Sequence, residues 1–204
     1  MTTLYFVRHA QALPKREQGE PEWALSKRGE KQAREIVPVL TSLKIHRLYC
    51  SPFRRCRDTL APFSAAAGLE VVIDEGLRER RIAPAWVGDF RDVWLRSWED
   101  FSFRLEGGES SWTVRQRIAG AVEGIIARHP GETIAIGSHG NSIGLFLNYA
   151  DAAFGVAEAS AMRTPEISRV THDGTRFVRD RSFSAGPAFD AIATDFRETP
   201  NIVA

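Results

Sequence analysis

Short apolar runs alternate along this chain with longer stretches of helical period, and that alternation restricts the folds open to it. Leu4 to Val7 reads as a buried strand that ends at Arg8-His9. Ser26 can cap a helix running to about Leu43, with Ala33, Ile36, Val37 and Leu40 on one face and Pro38 as a kink. Arg47 to Cys50 is a second strand. Ser51-Pro52 then opens a helix, with serine as the cap and proline at the first helical position. Phe53, Cys56, Leu60, Phe63 and Ala67 give that helix an apolar stripe, and Gly68 ends it before a third strand, Leu69 to Ile73. Val114, Ile118, Val122 and Ile125 mark a long helix that starts at Ser110 and stops before Pro130-Gly131. Thr133 to Ile136 is a fourth strand, Gly137 to Gly140 its exit, and Asn141 to about Tyr149 the next helix. Ile167 to His172 and Thr175 to Arg179 flank Asp173-Gly174, a tight-hairpin signal. The pattern predicts an α/β protein, a three-layer α/β/α sandwich. Its central sheet is mainly parallel, with antiparallel strands added by the hairpin.

Composition narrows the class. One core serves roughly 200 residues, so the chain is read as a single domain spanning 1–204. With 27 Lys+Arg against 26 Asp+Glu, a net charge of +1 offers no broad field for nucleic acid or an anionic membrane. No apolar run approaches the ~20 residues of a membrane helix. The start Met-Thr-Thr-Leu-Tyr-Phe-Val meets Arg8 before any long apolar stretch, unlike a signal peptide, so the cytoplasm is the expected location. Cys50 and Cys56 match neither a Cys-x-x-Cys pair nor a zinc knuckle and read as small core side chains. Only Lys15, Lys27, Lys31 and Lys44 are lysines, so arginine is abundant everywhere and its spacing alone is informative. Pro14 to Pro21 is a polar loop. Glu75 to Gly108 sets Trp86, Phe90, Trp94 and Trp98 among charges, and residues 80–106 are expected to form a helical cap over a pocket. The competing reading of that segment is a hydrophobic cluster under a surface loop.

In open α/β sheets, ligands bind outside the carboxyl ends of the strands. Arg8-His9 follows the first strand, Ser51-Pro52-Phe53-Arg54-Arg55 the second, and Ser138-His139-Gly140-Asn141 the fourth. Two histidines and at least two arginines thus converge on one edge from distant parts of the chain. Two histidines invite zinc, but metal sites seldom place guanidinium beside the ligands. The guanidinium fork matches phosphoryl oxygens, and a helix N-terminus adds N–H donors. An anion site without metal is therefore expected. His46, His129 and His172 carry structural readings: before a strand, at a helix end and beside the hairpin turn.

Taken in order, Arg8-His9, Ser51-Pro52-x-x-Arg55, Leu77-Arg78-Glu79, Gly107-Gly108-Glu109-Ser110 and Ser138-His139-Gly140 resemble the motif series of the histidine phosphatase superfamily. This is its branch 1, the phosphoglycerate-mutase-like group. The resemblance spans about Thr3 to Asn148 and takes in Ser26 to Arg34, which is similar to that family's Leu-Ser/Thr-x-x-Gly-x-x-Gln-Ala helix start. It implies that His9 is the nucleophile, attacking as neutral imidazole to give a phosphohistidine that water hydrolyses. It implies that Arg8 and Arg55 clamp phosphoryl oxygens while His139 adds positive charge in the transition state. Glu79 would be the general acid and then the base. Arg54 takes the place of Arg55 if the register slips by one. No metal or organic cofactor is implied. The partner would be a small-molecule phosphate ester, and a homodimer is a further option.

The chain departs from the family at three places. Ala10 stands where glycine usually follows the nucleophile, which is tolerable if its φ stays negative. Glu79 lies among Arg78, Arg80 and Arg81, any of which would hinder a general acid by pointing at it. Ile82 to Gly88 replaces a usual Gly-x-Trp-Glu-Gly stretch. Glu109 reads as structural. The leading expectation is a metal-independent phosphatase for small phosphate monoesters. The alternatives are a cofactor-dependent phosphoglycerate mutase, whose His-Gly-Asn-Ser resembles His139 to Ser142, and a catalytically silent phosphate-binding module. All three need the rings of His9 and His139 to meet, and each ring to open to solvent.

Overall fold

Side chains of β1 (Thr2–Arg8) alternate between two cores: Leu4 and Phe6 enter one, Tyr5 and Val7 the other. A strand buried on both faces reads as a continuous apolar run, which is why Leu4 to Val7 shows no polar alternation. The computed structural model describes residues 1–195; the expectation of one domain also covers 196–204, which lie outside the described residues. β2 (Arg47–Cys50), β3 (Val71–Ile73), β4 (Thr133–Ser138), β5 (Glu166–His172) and β6 (Phe177–Arg179) complete a six-stranded sheet in the order β3-β2-β4-β1-β5-β6. The first four strands run parallel, and β5 and β6 are antiparallel additions.

Helices cover both faces. α5 (Ser111–Arg128) and α6 (Gly140–Ala150) pack Ile118, Val122, Ile125, Ile143 and Phe146 onto the Leu4–Phe6 side. The other side takes Ile36, Val39 and Leu40 from α1 (Lys27–Glu35) and α2 (Val37–Ser42), with Cys56, Leu60 and Phe63 from α3 (Arg54–Ala67). The three-layer expectation holds. α7 (Val156–Ala161) and α8 (Pro187–Ile192) are short, and Phe189 of α8 joins the second core. Among the described residues no helix is long and apolar enough to cross a membrane.

Three local expectations need correction. The helix expected to kink at Pro38 breaks at Ile36 into α1 and α2, since proline supplies no N–H to the preceding turn. Ser51 does not cap α3: Phe53 is the extended residue before Arg54, and the Ser51 hydroxyl accepts from Phe53 N at 3.2 Å and bonds His139. Within 80–106 the helix is α4 (Phe90–Glu99) alone. Its Trp98 packs edge-on to Phe101 and against Phe154, while Trp94 Nε1 donates to Asn141 Oδ1 at 2.6 Å. That segment therefore has a hydrophobic cluster and also a tie to the start of α6.

The register positions the site. Arg8 pairs with Ser138 across β1–β4, and Cys50 with Gly137 across β2–β4. Three carboxyl ends are therefore flush, with β4 between β2 and β1. His9, Ser51 and His139 leave the sheet side by side.

Candidate active site

His9 follows β1 into a loop fixed from several sides. Ala10 N donates to Thr59 Oγ1 at 2.9 Å, and Gln11 N donates to Gln32 Oε1 at 2.9 Å. Ser26 caps α1 and donates its hydroxyl proton to Gln11 Oε1 at 2.7 Å. A Cβ on Gly29 would stand 2.0 Å from the Gln11 carbonyl oxygen, so only glycine lets α1 lie this close. The helix start singled out in the sequence thus pins the loop that carries His9. Among the described residues Lys44 alone has positive φ without being glycine, so Ala10 meets its condition.

The ring of His9 has a fixed tautomer. Its Nδ1 lies 2.8 Å from the Ala10 carbonyl oxygen, which only accepts, so Nδ1 carries the proton. Nε2 then keeps its lone pair, and Arg55 Nε donates to it at 3.2 Å. Burial and the charges of Arg55 and Arg8 hold the His9 pKa well below the usual imidazole value. The ring is half-buried and remains open to solvent.

Arg55, almost fully buried, engages all of its nitrogens. Beyond His9, its Nη1 donates to the Glu20 carbonyl at 2.9 Å and its Nη2 to Glu20 Oε1 at 2.7 Å. Desolvation pushes the Glu20 carboxyl up, against the pull of Arg55. Arg54 instead pairs with Asp58 on the exposed side of α3, so the register with Arg55 inward is the one the chain adopts. Arg8 Nη1 donates to the Met162 carbonyl at 2.8 Å. Its guanidinium lies flat against Gly140, where a Cβ would come 3.0 Å from Cζ. Gly140 thus leaves room for Arg8. Burial lowers the Arg8 pKa to about 10, so it stays charged at neutral pH.

His139 does meet His9, edge to face at 5.3 Å between ring centroids. It does not open to solvent, so the condition that both rings do so fails: His9 alone is accessible, and His139 borders the site only through its contact with that ring. It sits under Phe53, fully buried, and its Nε2 hydrogen-bonds the Ser51 hydroxyl at 2.7 Å. Burial, Arg55, His9 and Arg8 push its pKa well down, so in the ligand-free protein it is a neutral ring and not a second cation.

Glu79 is almost buried at the start of α6. Its Oε1 accepts from Arg80 N, Ser142 N and Ser142 Oγ, and its Oε2 from Asn141 N at 3.2 Å. The neighbouring guanidinium groups turn elsewhere. Arg78 grips Glu109 with both nitrogens, at 2.6 and 2.7 Å. Buried Arg80 donates to the Glu109 and Phe103 carbonyls and to Ser111, while Arg81 is exposed. Burial alone would raise the pKa of Glu109, but Arg78, the Arg81 N–H and Arg117 bring it down to about 2, consistent with its structural reading.

His46 accepts from Thr133 N, His129 bonds Tyr49, and His172 packs on Phe177, all away from this site. A cavity of about 1160 Å³ lies at the opposite end of the sheet, beside the β5–β6 hairpin. Its Arg181 and Arg179 pair with Asp151 and its Arg176 with Asp173, so it presents no open cationic cluster. Among the described residues no three His, Cys, Asp or Glu side chains form a metal-ligating group. The sequence reading missed Ser51 as a partner of His139, and Glu20 altogether. Thr59, which ties Ala10 to the Arg55 carbonyl, could have been found four residues after Arg55 on the same helix face.

The profile described as the histidine phosphatase superfamily (branch 1) matches residues 4–182. Phosphoserine phosphatase 1 of Hydrogenobacter thermophilus is 29% identical over 153 residues, covering 68% of this chain and 71% of that protein. A probable phosphoglycerate mutase of Erwinia tasmaniensis is 29% identical over 187 residues, 84% of this chain and 86% of that one. The structure of a mycobacterial glucosyl-3-phosphoglycerate phosphatase with inorganic phosphate superposes with a TM-score of 0.76 at 22% identity, over 92% and 98% of the two chains. An Entamoeba histolytica phosphoserine phosphatase with 3-phosphoglyceric acid also gives 0.76, at 20% identity, over 93% and 100%. At these identities the two structures speak for the fold.

Proposed function

The chain belongs to the histidine phosphatase superfamily, branch 1, and from that premise we propose that it is a metal-independent phosphatase hydrolysing small phosphate monoesters through a phosphohistidine. The observation that carries this reading is the His9 ring, its Nδ1 proton held by Ala10 and its unprotonated Nε2 beside Arg55. In the first step the Nε2 lone pair attacks phosphorus, the ester P–O bond breaks, and the leaving oxygen takes a proton from Glu79. Oε1 of Glu79 already takes two backbone N–H groups and a share of the Ser142 hydroxyl proton, which also goes to the Arg78 carbonyl, while Oε2 takes one N–H, so Oε2 is the oxygen with room for that proton. In the second step water attacks the phosphohistidine and gives its proton back to Glu79, and the N–P bond breaks to release phosphate and neutral His9. Arg8 and Arg55 carry the charge on the phosphoryl oxygens. His139 supports the His9 ring from behind, held in place by Ser51. The 80–106 segment caps the pocket through Trp94 on Asn141.

The test is hydrolysis of a chromogenic phosphate monoester in the presence of a chelator, with acid-labile, base-stable phosphate trapped on the protein. Turnover that needs an added metal ion, or no label at His9, overturns the reading. The mutase-like relative and the His139 to Ser142 sequence favour a second reading, a phosphoglycerate mutase. Interconversion of the two phosphoglycerates with 2,3-bisphosphoglycerate, faster than hydrolysis, would establish it instead. Arg78 and Arg80 spend their side-chain hydrogen bonds away from the Glu79 carboxylate, which weighs against a silent module, although Arg8, Arg80 and Arg117 still act on its charge through space.

A further inference from the structure

Arg55 is nearly inaccessible, and none of its nitrogens is idle: Nε is on His9, Nη1 on the Glu20 carbonyl and Nη2 on the Glu20 carboxylate. These bonds use three of its five N–H groups, and on a guanidinium this buried an incoming phosphoryl group competes with Glu20 for the Nη hydrogens. Glu20 comes from the loop between β1 and α1, in a single 3-10 turn, Glu20–Glu22. That loop is braced by Trp23, whose Nε1 donates to the Lys15 and Gln18 carbonyls and whose ring meets Trp86 at 6.1 Å. The Glu20 side chain remains a third exposed, so its carboxylate has solvent to move into when displaced.

We propose that Glu20 is an internal anion that competes with phosphoryl oxygens for Arg55, weakening the hold on substrate and on product phosphate alike. The inference rests on the phosphatase reading of this pocket and adds to it a residue that sets affinity. An incoming phosphoryl group exchanges one charge-assisted hydrogen bond on Nη2 for another, so its gain is the difference between the two. Removing the charge of Glu20 while keeping its shape leaves Nη2 a weaker neutral acceptor that phosphate displaces more easily. Glu20 hydrogen-bonds Arg55 and is given no part in the proton transfers assigned to Glu79, so it is a positioning residue rather than a catalytic one.

The experiment titrates inorganic phosphate into wild type and Glu20→Gln by calorimetry, and measures KM, kcat and phosphate inhibition for a chromogenic monoester. The expected result is a phosphate Kd and inhibition constant lower by about tenfold in Glu20→Gln, worth about 1.4 kcal/mol. KM falls in parallel and kcat changes less than KM. Because a disordered loop would also take Glu20 off Arg55, the variant is first shown to melt as wild type, so that tighter binding reports the lost charge. Unchanged or weaker phosphate binding in Glu20→Gln overturns the inference. Hydrolysis by wild type alongside an unchanged Kd in the variant sinks this inference alone. Absence of hydrolysis by wild type sinks the phosphatase reading, and the calorimetric comparison still decides the part played by Glu20.

Discussion

Arg55 donates its Nε to the Nε2 of His9 across 3.2 Å, a contact that joins α3 to the end of β1. It points the lone pair of the proposed nucleophile at the guanidinium that would receive phosphoryl oxygens. Loss of either group therefore disables the same step. His9→Ala is expected to abolish turnover with the fold retained, as judged by circular dichroism and melting. Arg55→Ala should lower kcat/KM by about 10² to 10³, the scale of losing one preorganised donor. Arg54→Ala, on the exposed side of α3, should stay within about threefold of wild type on the same scale. A larger loss from Arg54→Ala than from Arg55→Ala would contradict the assignment.

Glu79→Gln keeps an acceptor for the Asn141 and Ser142 amides but cannot supply a proton. A general acid matters most when the leaving group is a poor one. The variant should lose about 10² to 10⁴ in kcat on alkyl phosphates, and much less on nitrophenyl phosphate. Equal losses on both substrates would show that Glu79 only holds α6 in place.

The His9 ring should resist protonation. Its pKa is depressed, so an NMR titration of the ligand-free protein should show no His9 transition near the usual ~6.5. The sign for stability follows. Unfolded histidines take up protons below ~6.5 while His9 and His139 in the fold do not, so the stability they contribute is present above that pH and lost as pH falls. A His9 midpoint at the usual ~6.5 would show that burial, Arg55 and Arg8 do not act on the ring in solution.

Glu109 governs a lower window. With its pKa at about 2, its pairing with Arg78 and Arg117 stabilises the fold above the ordinary carboxylate range, and that contribution fades as pH drops from about 4.5 toward 2. The amount at stake is of order 2–3 kcal/mol. Urea unfolding at a series of pH values should show Glu109→Gln less stable at neutral pH and less sensitive to acid. An unchanged slope would mean the pairing does not survive in solution.

Ser51→Ala removes the hydroxyl from the buried Nε2 of His139. The weak Cys56 thiol, 3.4 Å from the same nitrogen, is then its remaining partner, so the loss should fall toward the low end of the about 1–3 kcal/mol of an orphaned buried group, read by denaturant unfolding. Ser51→Thr, which restores a hydroxyl, should recover part of it. No loss in Ser51→Ala would show that His139 finds another partner.

Local chemistry wrote much of this protein into its sequence. Apolar runs and helical periods specify β1, α3, α5 and the β5–β6 hairpin because each is short-range and repeats at a fixed spacing. The order of motifs specifies where His9, Arg55, Glu79 and His139 belong. Four features depended on the tertiary structure. Sheet order inserts β4 between β1 and β2, and the register then sets His139 beside His9. The same packing seals His139 under Phe53 and turns Ser51 from a helix cap into its partner. It aims Arg78 at Glu109 instead of the adjacent Glu79. It also brings Glu20, from a loop with no periodicity to read, onto Arg55. The physical reason is common to all four. Hydrogen bonds and charges act over a few ångströms in space, and distances between residues far apart in the chain exist only once the sheet has assembled.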